Sequence, residues 1–245
     1  MYPVLFKIGS VSIYSYGLFV AAGFLIASFL MLRDSAKEGL PRESVLDSLI
    51  AILAGGVIGG RLLYVVINWG YFSSDPIKMI MLNEGGMAIH GAIVLGFIAG
   101  VVTARIKGLP VWKTADIIAP YIALGQAIGR IGCFFNGCCY GREYDGLFSV
   151  TFPQDTVSRV PTQICLSAGL LAIYIMLRVA GRGGKYNGRI FALYLILYSI
   201  FRFFVDFLRG DNPLVFSGLT LAQVISIIIF ACGLFLFAIR KHGRT

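Results

Sequence analysis

Gly129-Arg130-Ile131-Gly132-Cys133-Phe134-Phe135-Asn136-Gly137-Cys138-Cys139-Tyr140-Gly141-Arg142 sets a guanidinium and a dense polar cluster at the end of an apolar run, residues 112–131. What that arginine means depends on its surroundings. Over the whole chain 58% of residues are hydrophobic and 13% are charged, against about 25% charged in an ordinary soluble domain, and the mean hydropathy is +0.82. Apolar runs of about 20 residues, enough at about 1.5 Å per residue to cross a hydrocarbon core of about 30 Å, recur with short polar connections between them. The reading is an all-α, polytopic membrane protein, and the soluble globular class is excluded.

Working outward from that run, seven spans are expected, over 13–32, 45–67, 87–106, 112–131, 162–180, 189–208 and 219–239, making one integral membrane domain over 1–245. The first span is expected to stay in the mature protein. Only Lys7 precedes it, and further spans follow it rather than a secreted domain.

Orientation follows from the basic residues. Alternate connections and the tail carry Arg33, Lys37 and Arg42, then Arg105, Lys107 and Lys113, then Arg178, Arg182, Lys185 and Arg189, then Arg240, Lys241 and Arg244. The opposite side holds only Lys7, Lys78, Arg142, Arg159 and Arg209. The positive-inside rule puts the richer set in the cytoplasm, with the N-terminus outside and the C-terminus cytoplasmic. The net charge of +9 is therefore mainly a topology signal, with a secondary attraction to anionic membrane lipids and no implication of nucleic acid.

The three basic residues that remain, Arg61, Arg130 and Arg202, are assigned to neither side and fall inside spans. An ionisable group there costs about 2.5–3.5 kcal/mol on insertion scales and marks a functional site by default. With span six rising from the cytoplasm at Arg189, Arg202 lies about 20 Å up the helix, and Asp206 and Arg209 lie further out. The same geometry puts Arg61, Arg130, His90 and Tyr16 in the outer half of the bilayer. Tyr194, Tyr198, Arg202 and Asp206 recur every four residues and so share one helix face. For Asp206 a buried structural ion pair competes with a role beside substrate. For Arg130 the bland alternative is snorkelling to the head groups, and for His90 a hydrogen-bonded structural position. Arginine suits a phosphodiester because its planar fork offers bidentate donors and keeps its charge. The glycines at 55, 56, 59 and 60, like those at 96 and 100, have the small-residue spacing of close helix packing. In the opening motif, Gly125 and Gly129 fit close helix contact, while Gly132, Gly137 and Gly141 fit tight turns.

Five cysteines, an odd number with two adjacent, make no disulfide framework. Cys133, Cys138 and Cys139 lack the paired spacing of a zinc site, and the expectation is no metal and no cofactor, with a disulfide or small buried thiols favoured instead.

These residues together resemble the prolipoprotein diacylglyceryl transferase family. The resemblance runs along nearly the whole chain: Tyr16-Gly17-Leu18, Gly60-Arg61-Leu62, Gly85-Gly86-Met87-Ala88-Ile89-His90-Gly91 after Glu84, the central motif to Gly137, Pro161-Thr162-Gln163, Arg202-Phe203-Phe204-Val205-Asp206-Phe207-Leu208-Arg209, and Leu221-Ala222-Gln223. The family implies a seven-span enzyme of the bacterial cytoplasmic (inner) membrane whose active site faces the outer leaflet. It moves the diacylglyceryl group of phosphatidylglycerol to the lipobox cysteine of a preprolipoprotein signal peptide, releasing glycerol 1-phosphate without metal or nucleotide.

By that resemblance Arg130 and Arg202 are the essential arginines and His90 a base or substrate positioner. Tyr16 and Asn136 are hydrogen-bond partners to substrate, and Asp206, Arg209, Gly141 and Arg61 belong to the substrate-binding surroundings. This chain departs from the common pattern in four places. Cys133 stands where many members have Asn, Cys138 where they have Glu, Thr162-Gln163-Ile164-Cys165 where a Ser-Gln-Leu-Tyr-like run is usual, and Asp206 where Glu is usual. Two rivals are a related transferase with another acceptor and a lipid or anion transporter. A transporter calls for polar residues reaching the cytoplasmic half, which here reads as apolar.

Overall fold

Each expected span is a helix in a computed structural model of the chain, which describes residues 4–8, 11–81, 85–152, 156–184, 187–210, 212–216 and 218–242. Glu84, Lys185 and Arg244 lie outside the described residues, as do the side chains of Lys7, Lys241 and His242. The helices are α1 (Ser15–Lys37), α2 (Arg42–Ile67), a single turn α3 (Trp69–Phe72), α4 (Ile89–Ile106), α5 (Val111–Asn136), α6 (Thr162–Ala180), α7 (Arg189–Asp206) and α8 (Leu221–His242).

Among the described residues six helices are long and apolar enough to cross a membrane: α1, α2, α4, α5, α6 with the turn that follows it, and α8. The chain is a multi-pass membrane protein. Helix α7 is long enough but carries Arg189, Arg202 and Asp206 within its 18 residues, which sets it apart from the apolar six. Large apolar side chains such as Phe29, Ile106 and Phe235 are exposed, as lipid-facing positions require.

Three short antiparallel hairpins add to the helical reading: β1 (Val4–Ile8) with β2 (Val11–Tyr14), β3 (Val150–Thr151) with β4 (Ser158–Arg159), and β5 (Leu214–Phe216) with β6 (Leu219–Thr220). They occupy the segment before α1 and the connections flanking α6 and α8.

The chain divides into two units, Leu32–Thr114 and the remainder. In the first, α2 and α4 cross at close range through their glycines. A Cβ on Gly55 would stand 2.9 Å from the Leu95 carbonyl oxygen, and one on Gly59 would overlap the Gly91 carbonyl. The small-residue spacing is thus helix packing, as read. At the α2–α4 connection Arg61 is buried. Its Nε donates to Met79 O (2.9 Å), Nη1 to Gly85 O (2.5 Å) and Gly86 O (2.9 Å), and Nη2 to Lys78 O (2.5 Å) and Met81 O (2.7 Å). The guanidinium also lies over the rings of Phe72 (5.2 Å) and Tyr64 (5.8 Å). Arginine has five N–H donors, and all five hold the connection in place.

In the other unit α5 organises its neighbours. Asp116, fully buried, accepts from the backbone N–H groups of Gly188 (2.7 Å) and Phe191 (2.8 Å) and so caps α7. Pro120 follows four residues later and frees the Asp116 carbonyl from the helix ladder. Tyr194 of α7 donates to Gln126 Oε1 (3.2 Å), and Ser167 of α6 donates to the Ala127 carbonyl (2.8 Å). Polar contacts of this kind, with the apolar cluster of Ala119, Ala123, Ile173, Leu177 and Ile190, fix α5, α6 and α7 side by side.

Candidate functional site

Helix α5 runs to Asn136, five residues beyond the expected end of its span, so Gly132 is helical rather than part of a turn. A Cβ there would stand 2.8 Å from that of Phe19 and 3.3 Å from the Tyr16 Cα, so Gly132 admits the start of α1 against the end of α5. The helix stops at Gly137 (φ 72°), whose N–H donates to Phe134 O (3.1 Å) while that of Cys138 donates to Cys133 O (3.2 Å). This is the Schellman ending, in which the residue after the glycine returns over the one five before it. It stacks Cys138 on Cys133. Cys139 then takes a left-handed turn (φ 64°), alone among the described non-glycine residues. The three sulfur atoms lie within 4.8 Å of one another.

The loop after α5 is held from two sides. At the start of α6, Thr162 Oγ1 donates to Cys139 O (2.8 Å) and Gln163 Nε2 to Cys138 O (2.7 Å), both side chains fully buried. The Oε1 of the same Gln163 amide is buried with no hydrogen-bond partner among the described residues. Gly141 donates its N–H to Val160 O (2.8 Å) and bridges Arg209, and the Arg142 N–H donates to Leu208 O (2.8 Å). A Cβ on Gly141 would stand 2.6 Å from Leu208 O and 2.8 Å from Val160 O. Glycine is required there by close approach of two backbones, not by a turn.

That ladder ties the cysteine loop to the end of α7, where the tyrosine, arginine and aspartate stripe shares one face as expected. The rings of Tyr194 and Tyr198 stack at 5.7 Å. Arg202 Nη1 meets Asp206 Oδ1 at 2.7 Å, with the carboxylate fully buried. Asp206 also accepts from Asn212 Nδ2 (2.7 Å) at Oδ1 and from Thr220 Oγ1 at Oδ2. Thr220 is fixed in turn by Gln223, whose Oε1 accepts the Thr220 N–H (3.0 Å). One end of this unit therefore gathers the starts of α1, α6 and α8 and the ends of α5 and α7.

Arg130 is half-buried on α5, and no hydrogen bond or ion pair joins its guanidinium to a described residue. Its charge acts on Tyr16, Cys133 and Cys139, while that of Arg209 acts on Cys139. The Asn136 side chain hydrogen-bonds the Cys138 thiol. Hydrogen bonds from Cys133 and Cys138, reinforced by Arg209 and Arg130, hold the Cys139 thiol well below its ordinary value.

Tyr16, Arg130, Asn136, Gly141, Arg202, Asp206 and Arg209 thus all belong to this unit. His90, exposed in the first turn of α4, and Arg61 belong to the other. Thr162, Gln163, Asn212 and Thr220 were not singled out as site residues. Thr162 and Gln163 lie in one of the stretches that carry the resemblance and follow Pro161 at a helix start, while nothing in the spacing of Asn212 and Thr220 marks them.

Residues 3–239 match the model of the family described as prolipoprotein diacylglyceryl transferase. The chain is similar to three curated proteins named as phosphatidylglycerol–prolipoprotein diacylglyceryl transferase. The one from Bacillus licheniformis is 32% identical over 99% of this chain and 94% of its own length. One from Clostridium perfringens, numbered 2 in its name, is 35% identical over 98% and 96%. That of Clostridium tetani is 35% identical over the full length of both.

Proposed function

We propose, since the chain belongs to the prolipoprotein diacylglyceryl transferase family, that it is an enzyme transferring the diacylglyceryl group of phosphatidylglycerol to the thiol of a prolipoprotein lipobox cysteine. The observation that carries this reading is Arg130. A half-buried guanidinium with no hydrogen-bond or ion-pair partner among the described residues offers one full charge and a planar donor fork to an anion.

In the reaction the acceptor sulfur forms a bond to the glycerol carbon that bears the phosphate. The carbon–oxygen bond to that phosphate breaks, its electron pair stays on the phosphate oxygen, and the thiol proton passes to solvent or a base. A phosphodiester monoanion becomes a monoester with greater negative charge. Donors that bind this added charge lower the barrier selectively. Arg130 supplies that field from α5, and Arg202, positioned by Asp206, supplies it from α7. Tyr16 and Asn136 orient the substrate, Gly141 and Arg209 join the loop to α7, and His90 acts as base or positioner. Arg61 is assigned to loop structure, because its donors are all engaged by carbonyls.

We further assign seven spans with α7 among them, an outer N-terminus, a cytoplasmic C-terminus, and a site open to the outer leaflet of a bacterial inner membrane. The distribution of basic residues supports this orientation, and paired reporter fusions at the two termini test it.

The test of function is incubation of purified protein with phosphatidylglycerol micelles and a lipobox peptide, reading the thioether product by mass. Arg130→Ala and Arg202→Ala are each expected to slow product formation by about 10²- to 10³-fold. Absence of product from the unaltered protein overturns the activity, and product at full rate from both variants overturns the assignment of the arginines.

A further inference from the structure

We infer that Cys133, Cys138 and Cys139 form a three-thiolate site for a thiophilic divalent ion of the zinc class, with its fourth position open to the thiol of an acceptor peptide. The inference rests on the transferase reading for the identity of the fourth ligand, and on the geometry of the chain for the site itself. The helix ending at Gly137 stacks Cys138 on Cys133, and the left-handed Cys139 closes the group. Three thiolates about 2.3 Å from one tetrahedral ion stand about 3.8 Å apart. The observed sulfurs, all within 4.8 Å of one another, reach that spacing by small side-chain rotations.

The backbone around the cluster is fixed by Thr162 and Gln163, whose buried side chains hold the Cys139 and Cys138 carbonyls. Beside it lies Gln163 Oε1, buried and with no hydrogen-bond partner among the described residues, an acceptor for a group bound at the cluster. The charges of Arg130 and Arg209 offset the net negative charge that three thiolates leave on a divalent ion.

Structural zinc sites fill all four positions with protein ligands, whereas reactive ones keep one open. Among the described residues this cluster offers three ligands. Coordination deprotonates a thiol outright, so an acceptor thiol entering the fourth position becomes a thiolate and releases its proton to solvent. Its sulfur then attacks the glycerol carbon, the carbon–oxygen bond to phosphate breaks, and the thioether forms with no change of oxidation state. The ion thereby supplies the thiol activation.

The experiment is titration of reduced, chelator-treated protein in detergent with Co²⁺ under anaerobic conditions, followed by Zn²⁺ competition. Expected are one Co²⁺ per chain, thiolate-to-cobalt charge-transfer absorption with tetrahedral visible bands, and displacement by Zn²⁺. Cys133→Ser, Cys138→Ser and Cys139→Ser each weaken binding at least tenfold, and the Cys165→Ser/Cys232→Ser pair leaves it unchanged. Cys138→His, which keeps a ligand, retains binding with a weaker charge-transfer band and guards against misfolding as the cause. A lipobox peptide intensifies the band, and its Cys→Ser analogue does not.

Absence of charge transfer, or bands indifferent to the three cysteines, overturns the site. Binding without a peptide response overturns the open position. Thioether formation at the same rate by stripped and Zn²⁺-loaded protein overturns thiol activation and leaves the transferase reading standing. Failure of both to form thioether sinks the transferase reading, and the cobalt spectra still decide the site.

Discussion

Arg202 and Asp206, one turn apart on α7, meet at 2.7 Å with the carboxylate also gripped by Asn212 and Thr220. Asp206 therefore both orients an arginine and fastens the α7–α8 connection. Breaking one side of a buried pair costs about 3–5 kcal/mol, whereas replacing both partners by apolar groups is often neutral. Asp206→Ala is expected to lower the thermal unfolding midpoint strongly. The Arg202→Met/Asp206→Leu pair should regain most of that stability yet remain inactive. A double variant as unstable as Asp206→Ala would show that the pair's worth lies in its contacts to Asn212 and Thr220.

Gly141→Ala places a methyl against two backbone carbonyls that no side-chain rotation can clear. Overpacking of this kind costs about 1–3 kcal/mol, and here it pries the cysteine loop from α7. Faster amide exchange at Arg142 and Val160 in hydrogen–deuterium measurements is the expected sign. Gly183→Ala, with nothing within 4 Å, serves as the silent control.

Lysine has three donors to arginine's five, so Arg61→Lys leaves at least two carbonyls of the α2–α4 connection unsatisfied, at about 1–3 kcal/mol each when buried. Limited proteolysis in detergent should cut between Lys78 and Gly86 sooner than in the unaltered protein. An unchanged cleavage pattern would show that ring contacts to Tyr64 and Phe72 suffice.

Asp116→Ala removes the cap on α7, at about 1–2 kcal/mol. Hydrogen exchange should quicken at Gly188 and Phe191 while the far end of α7 stays protected.

A thiol whose value is lowered stays ionised as pH falls, and its reactivity is lost only through the lowered value. An ordinary cysteine, with a value of about 8.5, loses about tenfold in thiolate per unit below it. In metal-free, reduced protein, Cys139 should therefore keep its alkylation rate as pH falls to about 6.5 while the same cysteine in denatured chain slows. Peptide mapping after timed iodoacetamide exposure reads both, and parallel decline would show that the thiols do not share hydrogen bonds.

Much of this was legible before any coordinates. The six apolar helices follow from run length, and the α7 stripe from a four-residue repeat. The glycine crossing of α2 and α4 follows from small-residue spacing. The thiol cluster is hidden, because Cys133, Cys138 and Cys139 lack the paired spacing that marks a ligand group. The relevant signal is the glycine at position 137, which ends the helix and brings residues five apart into contact. The resemblance sets Arg61 in the substrate-binding surroundings, and the structure adds a role in the α2–α4 connection. The partners of Arg61 are carbonyls from another segment, which carry no mark in the sequence. Asp116 is hidden for a similar reason, since the N–H groups it caps lie more than seventy residues away.

Five carbonyl oxygens converging on one guanidinium make a coordination cage in which the cation is part of the chain. A cage built around a free ion empties on dilution or chelation and changes with the salt outside. The one around Arg61 cannot be emptied, exchanged or deprotonated, so the connection that leads into His90 keeps its form whatever the ionic composition on its side of the membrane.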